Sequence, residues 1–485
     1  MSRLSFFCDL AEATAPLTHF WEHTVGSDHA PVTLRADWQT QLQRAHRELG
    51  FQHVRFHGLL SDDFRLVVGN RNKHFYSFFN CDQVLDFLLS IGMRPFVELS
   101  FMPTALASGT KTVFNYEANV TRPRDYRQWS RLIEAVVSHC VDRYGAREVA
   151  EWFFEVWNEP NLSWFWDGTQ RDYFKLYRHT AEAIKNVDAS LRVGGPATAK
   201  SEWIQDFVEF CDRNEVPADF ISTHYYPNDG FEKVEDIEEQ LFRSQRGIMR
   251  QVAEDTKRHA GGRPVYYTEW NASSDGRNPL HDEPYSAAFA ASTIMEVRGL
   301  VQGYSFWTFS DIFEERYFPS TPFHGGFGLL NLHGIPKPVY RAFELLHEVG
   351  TEQSLVDGLH ETVDCQLIQK DSSVTILLTN HTTPGHSIET EQLDIRLANP
   401  REPVAVYIKR IDADHANPKR LWLEMGQPEY LDRKQVEQLE EASQMKTEKQ
   451  RFTYRDGVIT LKTNLPPHAV AAITIEFKPE THAVA

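Results

Sequence analysis

Cysteine is scarce in this chain, with five residues among 485. Their odd number and wide spacing argue against a disulfide framework and against the clustered spacing of a structural zinc site. We expect reduced core cysteines in a cytoplasmic protein. The five are Cys8, Cys81, Cys140, Cys211 and Cys365.

Long apolar runs are also missing from the sequence. No stretch approaches the roughly 18 apolar residues that a membrane-spanning helix needs. The short apolar run at the N-terminus is followed at once by Asp9 and Glu12, which is not the pattern of a secretory signal. The sequence therefore predicts a cytoplasmic protein with no membrane partner.

Positive charge is in deficit, with 50 Lys and Arg residues against 68 Asp and Glu residues and a net charge of −18. A surface of this charge repels phosphate groups, so we expect no nucleic-acid partner and no anionic lipid partner. The sequence leaves the formation of a homo-oligomer open. Aromatic residues, in contrast, are plentiful, which suits carbohydrate binding and equally suits a large aromatic core.

Between residues 20 and 350, short apolar runs alternate with amphipathic, charged segments. Eight such runs, each followed by a helical pattern, predict an α/β fold, the closed (β/α)8 or TIM barrel. An open doubly wound sheet is the alternative, but the Gly-rich phosphate loop that often follows its first strand is missing here. The predicted strands are 20–25, 53–57, 95–100, 152–157, 191–195, 220–224, 265–269 and 303–309. The predicted helices are about 34–49, 81–91, 123–144, 170–187, 201–213, 235–260, 284–299 and 337–348.

Beyond about residue 350 the pattern changes to short strands separated by turns, which predicts a C-terminal antiparallel β-sandwich. Asp456-Gly457 is a hairpin signal within it. A charged helical insertion at about 418–449 interrupts the strands, and residues 1–13 can supply one more strand because the barrel already has eight. We therefore expect a barrel domain over 14–350 and a sandwich domain over 351–485.

Two glutamates stand where buried strands of the predicted barrel end. Glu159 follows the aromatic strand 152–157, which stops because Pro160 cannot donate to a strand ladder. Glu269 ends the strand 265–269 in the same way. Both positions fall on the rim of a parallel barrel, where catalytic residues lie. Such a pair is what hydrolysis of a glycosidic bond requires, one carboxyl as acid and one as nucleophile.

Three tryptophans follow or precede Glu159 closely: Trp157, Trp164 and Trp166. Their flat apolar faces suit the apolar faces of sugar rings, and Trp166 is a predicted substrate contact. The alternative is an aromatic core strand with a chance acidic residue in the loop after it.

A family resemblance extends over nearly the whole chain. Its motifs are Val54-Arg55-Phe56-His57, Phe96-Val97-Glu98-Leu99, Asn158-Glu159-Pro160, His224-Tyr225-Tyr226-Pro227, Thr268-Glu269-Trp270-Asn271, Trp307-Thr308-Phe309-Ser310 and Leu465-Pro466-Pro467-His468. In these motifs the sequence resembles glycoside hydrolase family 39, the β-xylosidases, which belong to a large clan of retaining barrel glycosidases.

The resemblance implies a role for each matching residue. Glu159 matches the general acid/base and Glu269 matches the nucleophile. Positions that hold the sugar or orient the carboxylates are matched by His57, Asn158, His224, Tyr226, Trp307 and Glu314. The residues themselves add that Glu314 and Glu315 can both accept hydrogen bonds from sugar hydroxyls.

The sequence departs from the family pattern at two turns. Gly26-Ser27-Asp28-His29 replaces a Gly-Ser-Gly-Arg-like turn after the first strand, and Ala272-Ser273-Ser274-Asp275 replaces a segment that often starts with an aromatic residue. We expect local contacts to differ there.

His19-Phe20-Trp21-Glu22-His23 fits the H-x-x-E-H pattern of inverted zinc peptidases. That chemistry needs both histidines on one face of a helix. Pro16 before the stretch and Gly26 after it favour a strand instead, so we predict no metal site, and no cofactor is implied.

These observations predict a retaining exo-glycosidase, a β-xylosidase that removes terminal xylose from short oligosaccharides. One alternative is the same chemistry on an arabinoside, glucoside or uronide. Glu314 and Glu315 disfavour the anionic uronide, although Arg316 follows them. The other alternative is a sugar-binding protein without catalysis, against which the presence of both glutamates argues.

Overall fold

The computed structural model describes residues 4–231, 234, 236–398 and 401–478. Eight parallel strands close a barrel in which each strand pairs with the next along the chain and the eighth pairs with the first. This confirms the predicted (β/α)8 fold. The barrel strands, called first to eighth below, are Thr24–His29, His53–His57, Arg94–Leu99, Phe153–Val156, Arg192–Thr198, Phe220–His224, Val265–Trp270 and Gly303–Phe306.

Helices surround the barrel and connect its strands. They are Ala36–Leu49, Phe79–Ser90, Tyr126–Tyr144, Ala146–Val149, Gln170–Val187, Ile204–Arg213, Ile237–Arg243, Ile248–His259, Pro284–Val297 and Pro338–Glu348. The predicted helix over 235–260 is two helices because Gly247 adopts φ 83° between them, a left-handed conformation that favours glycine. No helix in the described part of the chain is long and apolar enough to cross a membrane.

The start of the first strand differs from the prediction. Phe20–Glu22 is a 3-10 turn, and the strand begins at Thr24. A side-chain contact across the turn stabilises it: His19 Nδ1 lies 2.7 Å from a carboxylate oxygen of Glu22. The His23 ring stacks instead on His53 at 4.6 Å, so the two histidines of the H-x-x-E-H pattern have separate surroundings.

The interior of the barrel changes character along its axis. Phe96 and Phe153 pack with neighbouring aromatic rings toward the N-terminal ends of the strands. Glu98 and Glu155 lie two residues further along the same strands and so point to the same interior. The C-terminal end of the barrel is therefore filled by charged groups, which positions a site there.

The C-terminal part consists of two sheets with an apolar core between them. Leu4–Asp9 pairs in parallel with a strand of the smaller sheet. Asp456 and Gly457, with φ 50° and 72°, form the hairpin turn that the sequence signals. The division into domains over 14–350 and 351–485 stays a prediction about folding units.

The smaller sheet contains Leu4–Asp9, Glu391–Ala398, Val458–Leu465 and Phe452–Arg455. The larger contains Ala15–Pro16, Glu352–Ser354, Val363–Lys370, Ser373–Asn380, Ala469–Glu476, Ala405–Ile411 and Glu448–Lys449. The charged insertion forms the helices Pro418–Glu424 and Arg433–Ala442. Short hairpins in the barrel loops pair Val67–Gly69 with His74–Tyr76 and Thr112–Val113 with Ala118–Asn119.

Candidate active site

The two glutamates meet at the C-terminal mouth of the barrel. Glu269 lies in the seventh strand, and Glu159 lies just after the fourth. The backbone turns sharply at Glu159, where φ is 43°, and its N–H donates to the carbonyl of Ala197 at 2.8 Å. One carboxylate oxygen of each glutamate and a ring nitrogen of His224 all lie within 4.8 Å of one another.

This separation has a chemical meaning. Carboxyl groups about 5–5.5 Å apart act as acid and nucleophile on the same bond, whereas about 6.5–9.5 Å is needed to admit an attacking water between them. Glu159 and Glu269 approach each other to within 4.8 Å at one oxygen of each, which favours the first arrangement. The geometry therefore favours a double displacement with retained configuration.

Glu269 is held as a carboxylate by two donors. Arg55 Nη1 donates to its Oε1 at 2.8 Å, and the Tyr226 hydroxyl donates to its Oε2 at 3.0 Å. Burial raises the pKa of Glu269, and the charge of Arg55 acts against that rise. Both hydrogen bonds favour the ionised form and orient the carboxylate.

Glu159 is buried as well but has different hydrogen-bond partners. Burial raises the pKa of Glu159 to about 7, so it carries a proton near neutrality. Its Oε1 lies 3.0 Å from His224 Nδ1, and burial lowers the pKa of His224 to about 4, which keeps that ring neutral. The two carboxyl groups thus differ in their hydrogen-bond partners, since Arg55 and Tyr226 donate to Glu269 and His224 contacts Glu159.

His224 is held by contacts at both ring nitrogens. Its Nε2 lies 3.1 Å from the hydroxyl oxygen of Thr268, which donates to Glu155 at 2.8 Å, and 3.4 Å from Arg55 Nη2. Its Nδ1 lies 3.0 Å from Glu159 Oε1. These contacts orient the ring so that Nδ1 shares a hydrogen bond with Glu159.

Arg55 is the centre of a buried charge network. It pairs with Glu98 at 2.7 Å and Glu155 at 2.6 Å besides Glu269. Its Nη2 also donates to Asn158 Oδ1 at 3.0 Å, which orients that amide and leaves its NH2 group to donate to a ligand. One guanidinium therefore fixes the nucleophile and a ligand-binding amide together.

A second cation lies on the next inward position of the same strand. His57 Nδ1 lies 2.6 Å from Glu98, and Nε2 lies 3.4 Å from Glu315. Burial alone would lower the pKa of His57, but these two carboxylates outweigh it and raise the pKa well above its usual range. The imidazolium faces the mouth 3.8 Å from Glu269 Oε1, where it can donate to a bound hydroxyl.

The structure brings most of the predicted site residues together. His57, Asn158, His224 and Tyr226 all contact the two glutamates or the network that holds them. Trp307 is buried beside His57, with ring centroids 4.9 Å apart, in an apolar cluster that includes Tyr226.

Two predicted contacts lie elsewhere. Glu314 sits at the rim, partly exposed and 3.7 Å from Arg35, so Glu315 is the inner carboxylate of the pair. Trp166 is 2% exposed, stacks edge-on against Trp157, and donates its ring N–H to the Thr169 carbonyl. It is a core residue because its polar edge is satisfied by the backbone and both faces are packed.

Arg55, Glu98, Glu155 and Thr268 are site residues that sequence reasoning missed. Arg55 and His57 alternate on one strand, and Glu98 lies inside an otherwise apolar strand. Charged groups are almost never fully buried unless they are paired. Ionisable residues inside strands buried on both faces were the signal that could have found the network.

Gly26-Ser27-Asp28-His29, predicted as a turn after the first strand, is part of that strand, because the strand begins at Thr24 and ends at His29. His29 is buried between Asp28 and Asp63, at 3.2 and 3.3 Å, and stacks on Tyr116 at 3.8 Å. Burial alone would lower the pKa of His29, but the two aspartates raise it to about 9. The Glu314 N–H donates to Asp28 at 2.7 Å, so the end of this strand anchors the loop that presents the inner carboxylate.

The second departing turn is fastened to the loop after the sixth strand. The Ser274 N–H donates to Asn228 Oδ1 at 3.0 Å, and Asn228 Nδ2 donates back to Ser274 Oγ at 2.7 Å. The two hydrogen bonds between Asn228 and Ser274 thus hold this segment in place, although it does not start with an aromatic residue.

Comparison with known proteins gives consistent results. The model of the glycosyl hydrolases family 39 matches residues 7–460. A beta-xylosidase of Caldicellulosiruptor saccharolyticus is 49% identical over 467 residues, covering 95% of this chain and 96% of that protein. A beta-xylosidase of Geobacillus stearothermophilus is 41% identical over 481 residues, covering 94% and 92%. The solved structure of a GH39 beta-xylosidase from Caulobacter crescentus superposes with a TM-score of 0.82 at 33% identity, covering 97% of this chain and 99% of that chain.

Proposed function

We propose that this chain, which belongs to glycosyl hydrolase family 39, is a retaining exo-β-xylosidase that acts on short xylo-oligosaccharides. The observation that carries the proposal is the carboxyl pair: Glu159, with a pKa of about 7, and Glu269, held by Arg55 and Tyr226, with oxygens within 4.8 Å. The similar beta-xylosidases support the choice of sugar.

The first step uses the two carboxyl groups at once. A carboxylate oxygen of Glu269 attacks the anomeric carbon while Glu159 gives its proton to the glycosidic oxygen. The glycosidic bond breaks, the leaving sugar departs as an alcohol, and the terminal sugar remains as an ester on Glu269. Asn158 and His57 donate to hydroxyls of that sugar as positive charge develops on its ring.

The second step reverses the roles. Glu159, now ionised, takes a proton from a water molecule whose oxygen attacks the anomeric carbon. The ester bond to Glu269 breaks, and the sugar leaves with the configuration it had in the substrate. Arg55 and Tyr226 receive the restored carboxylate without rearrangement, because their hydrogen bonds to it are already formed.

Glu315 supports the exo action and the neutral sugar. Its carboxylate lies against His57 inside the mouth and can accept from hydroxyls of a terminal residue. The Asn115 N–H donates to the Glu315 carbonyl at 2.8 Å, which fixes the loop across the pocket. A further sugar attached beyond the terminal one would remove a hydroxyl that donates to this buried carboxylate, and a uronate would face it with a like charge.

We expect 4-nitrophenyl β-D-xyloside to show the highest kcat/KM in a panel of aryl xylosides, arabinosides, glucosides and glucuronides. Xylotriose should give xylose and xylobiose as its first products, since Glu315 and His57 are proposed to enclose one terminal residue. Initial rates and chromatography of early products measure both. A tenfold preference for another sugar would replace xylose in the proposal, internal fragments from xylan would overturn the exo action, and no turnover of any glycoside would favour a binding protein.

The pH profile of kcat/KM should have two limbs, one for each carboxyl group: a fall at high pH for Glu159 and a fall at low pH for Glu269. Glu159 must be protonated to act as an acid, so kcat/KM for xylobiose falls as pH rises through about 7. Glu269 must be ionised, so activity also falls on the acid side. In Glu159→Gln, measured with an activated aryl xyloside, the alkaline limb should vanish while the acid limb stays. An alkaline limb that survives this change would assign it to another group.

We also propose a cytoplasmic place of action. The five cysteines are buried and free, which suits a reducing compartment. Fractionation of the producing cells, with activity and protein measured in each fraction, tests this.

A further inference from the structure

Three tryptophans cluster around the acid in the sequence, and the structure separates them. Trp157 and Trp166 are buried in the core, at 0% and 2% exposure. Trp164, on the same loop, is 56% exposed. A ligand that covered the exposed indole would remove apolar surface from water.

Trp164 faces a cation from the other side of the barrel. The guanidinium of Arg316 lies over its ring, 5.5 Å from the centroid. Trp164 belongs to the loop after the fourth strand and Arg316 to the loop after the eighth, and these strands oppose each other in the closed barrel. The pair therefore spans part of the mouth, with Arg316 on one indole face and the rest of the ring toward solvent.

The backbone that carries Trp164 is held in place. Lys111, from the loop after the third strand, donates to the Ser163 carbonyl at 2.6 Å. The Leu162 N–H donates to the Glu159 carbonyl at 3.0 Å, so a tight turn connects the acid to the exposed indole. A fixed aromatic surface binds at a lower entropic cost than a mobile one.

The direction of bond cleavage places the leaving group near this surface. Glu159 protonates the glycosidic oxygen, so the leaving sugar starts on its side of the pocket, while His57 and Glu315 enclose the terminal sugar. Arg316 directly follows Glu315. Its charge also reaches Glu159, where it acts against the rise in pKa that burial causes. The Trp164–Arg316 pair thus lies next to the position of the glycosidic bond between the terminal sugar and the leaving sugar.

We propose that Trp164, backed by Arg316, is the platform on which the leaving sugar stacks, and that it sets the preference for sugar over small-alcohol leaving groups. This rests on the proposed function, which it extends from the terminal sugar to the sugar released with it. The open indole face takes the apolar face of the leaving pyranose.

A second groove is an alternative site for the leaving sugar. It has a volume of about 440 Å³ and lies on the outer side of Glu314, lined among others by Phe318 and Tyr430, which are 70% and 75% exposed. Arg35 and Glu314, which lie 3.7 Å apart, also line this groove. A leaving sugar in this groove would make Tyr430, and not Trp164, the important aromatic residue.

The test compares xylobiose with methyl β-D-xyloside, two substrates with similarly poor alkyl leaving groups but only one leaving sugar. Trp164→Ala should lower the ratio of their kcat/KM values about five- to tenfold, mainly through KM for xylobiose. Trp164→Phe should restore most of the ratio, because a flat ring returns. Phe79→Ala, which removes another aromatic side chain that is 82% exposed, is the matched control and should leave both substrates unaffected.

Two outcomes would show that Trp164 is not the platform for the leaving sugar. An equal loss for both substrates in Trp164→Ala would mean that the residue acts through Glu159 or the loop. A lowered ratio in Tyr430→Ala, with no change in Trp164→Ala, would move the leaving sugar to the second groove. Wild-type turnover of neither xyloside would instead refute the xylosidase assignment, and the same ratio would then be measured with the glycone that the aryl panel identifies.

Discussion

Glu269→Ala should lower kcat for every glycoside by about 10⁵-fold or more, the scale on which loss of a covalent nucleophile acts. Every substrate is affected alike because the ester on Glu269 precedes product release whatever the leaving group. The folded state should persist, since Arg55 keeps Glu98 and Glu155 as partners at 2.7 and 2.6 Å. Steady-state kinetics with an activated aryl xyloside, together with thermal unfolding, measure both expectations.

Azide distinguishes a nucleophile from other important residues. In Glu269→Ala the anion can occupy the space of the missing carboxylate and attack the anomeric carbon from that side. The product should be the α-xylosyl azide, with inverted configuration, identified by proton NMR. A β-azide from this variant would show that the intermediate still forms and would remove Glu269 from the role. Glu314→Gln is the control at the partly exposed rim, where we expect less than a tenfold change.

The sequence predicts that the two candidate glutamates lie at the same end of the barrel, because both end strands that are recognisable by their apolar residues. The closed topology then brings the two strand ends to one mouth, and no side-chain detail is needed for that step. His224 and Tyr226 follow from the family motif, and the structure explains them by their hydrogen bonds to Glu159 and Glu269.

The network around Arg55 was harder to predict because its contacts join four strands that are far apart in the chain. Arg55 and Glu155 are 100 residues apart and lie 2.6 Å from each other. A charged residue within a strand signals a partner but does not say which residue it is. The partner is fixed only by the stagger of the barrel strands, which local patterns do not contain.

For neighbouring residues on a loop, the sequence does not show which side chain points inward and which is exposed. Glu314 and Glu315 are adjacent, and only the hydrogen bonds of the loop to Asp28 and Asn115 decide which one points inward. Trp164 and Trp166 have similar neighbours in sequence, yet one is exposed and the other is core. Phe20 looks like the start of a strand because it is buried, but the His19–Glu22 contact closes a turn there.

Glu159→Ala should harm substrates in proportion to how much their leaving group needs a proton. For xylobiose, whose leaving alcohol is a weak acid, we expect kcat/KM to fall about 10²–10⁴-fold, the contribution of a positioned general acid. For 2,4-dinitrophenyl β-xyloside, which leaves without protonation, formation of the ester on Glu269 should remain fast. Its hydrolysis lacks a base, so a burst of dinitrophenol should precede a slow steady state.

The same variant should respond to azide with the opposite stereochemistry to Glu269→Ala. The space left by Glu159 is where water is normally activated, so azide there attacks the ester on Glu269 and needs no base. The product should be the β-xylosyl azide, and the steady-state rate should rise with azide concentration. Glu159→Gln keeps the shape of the side chain without its acidity and should give the same leaving-group dependence, with weaker rescue because the space is filled. Equal damage to both substrates, or an α-azide, would mean that Glu159 is not the acid and that the proton comes from another group in the pocket.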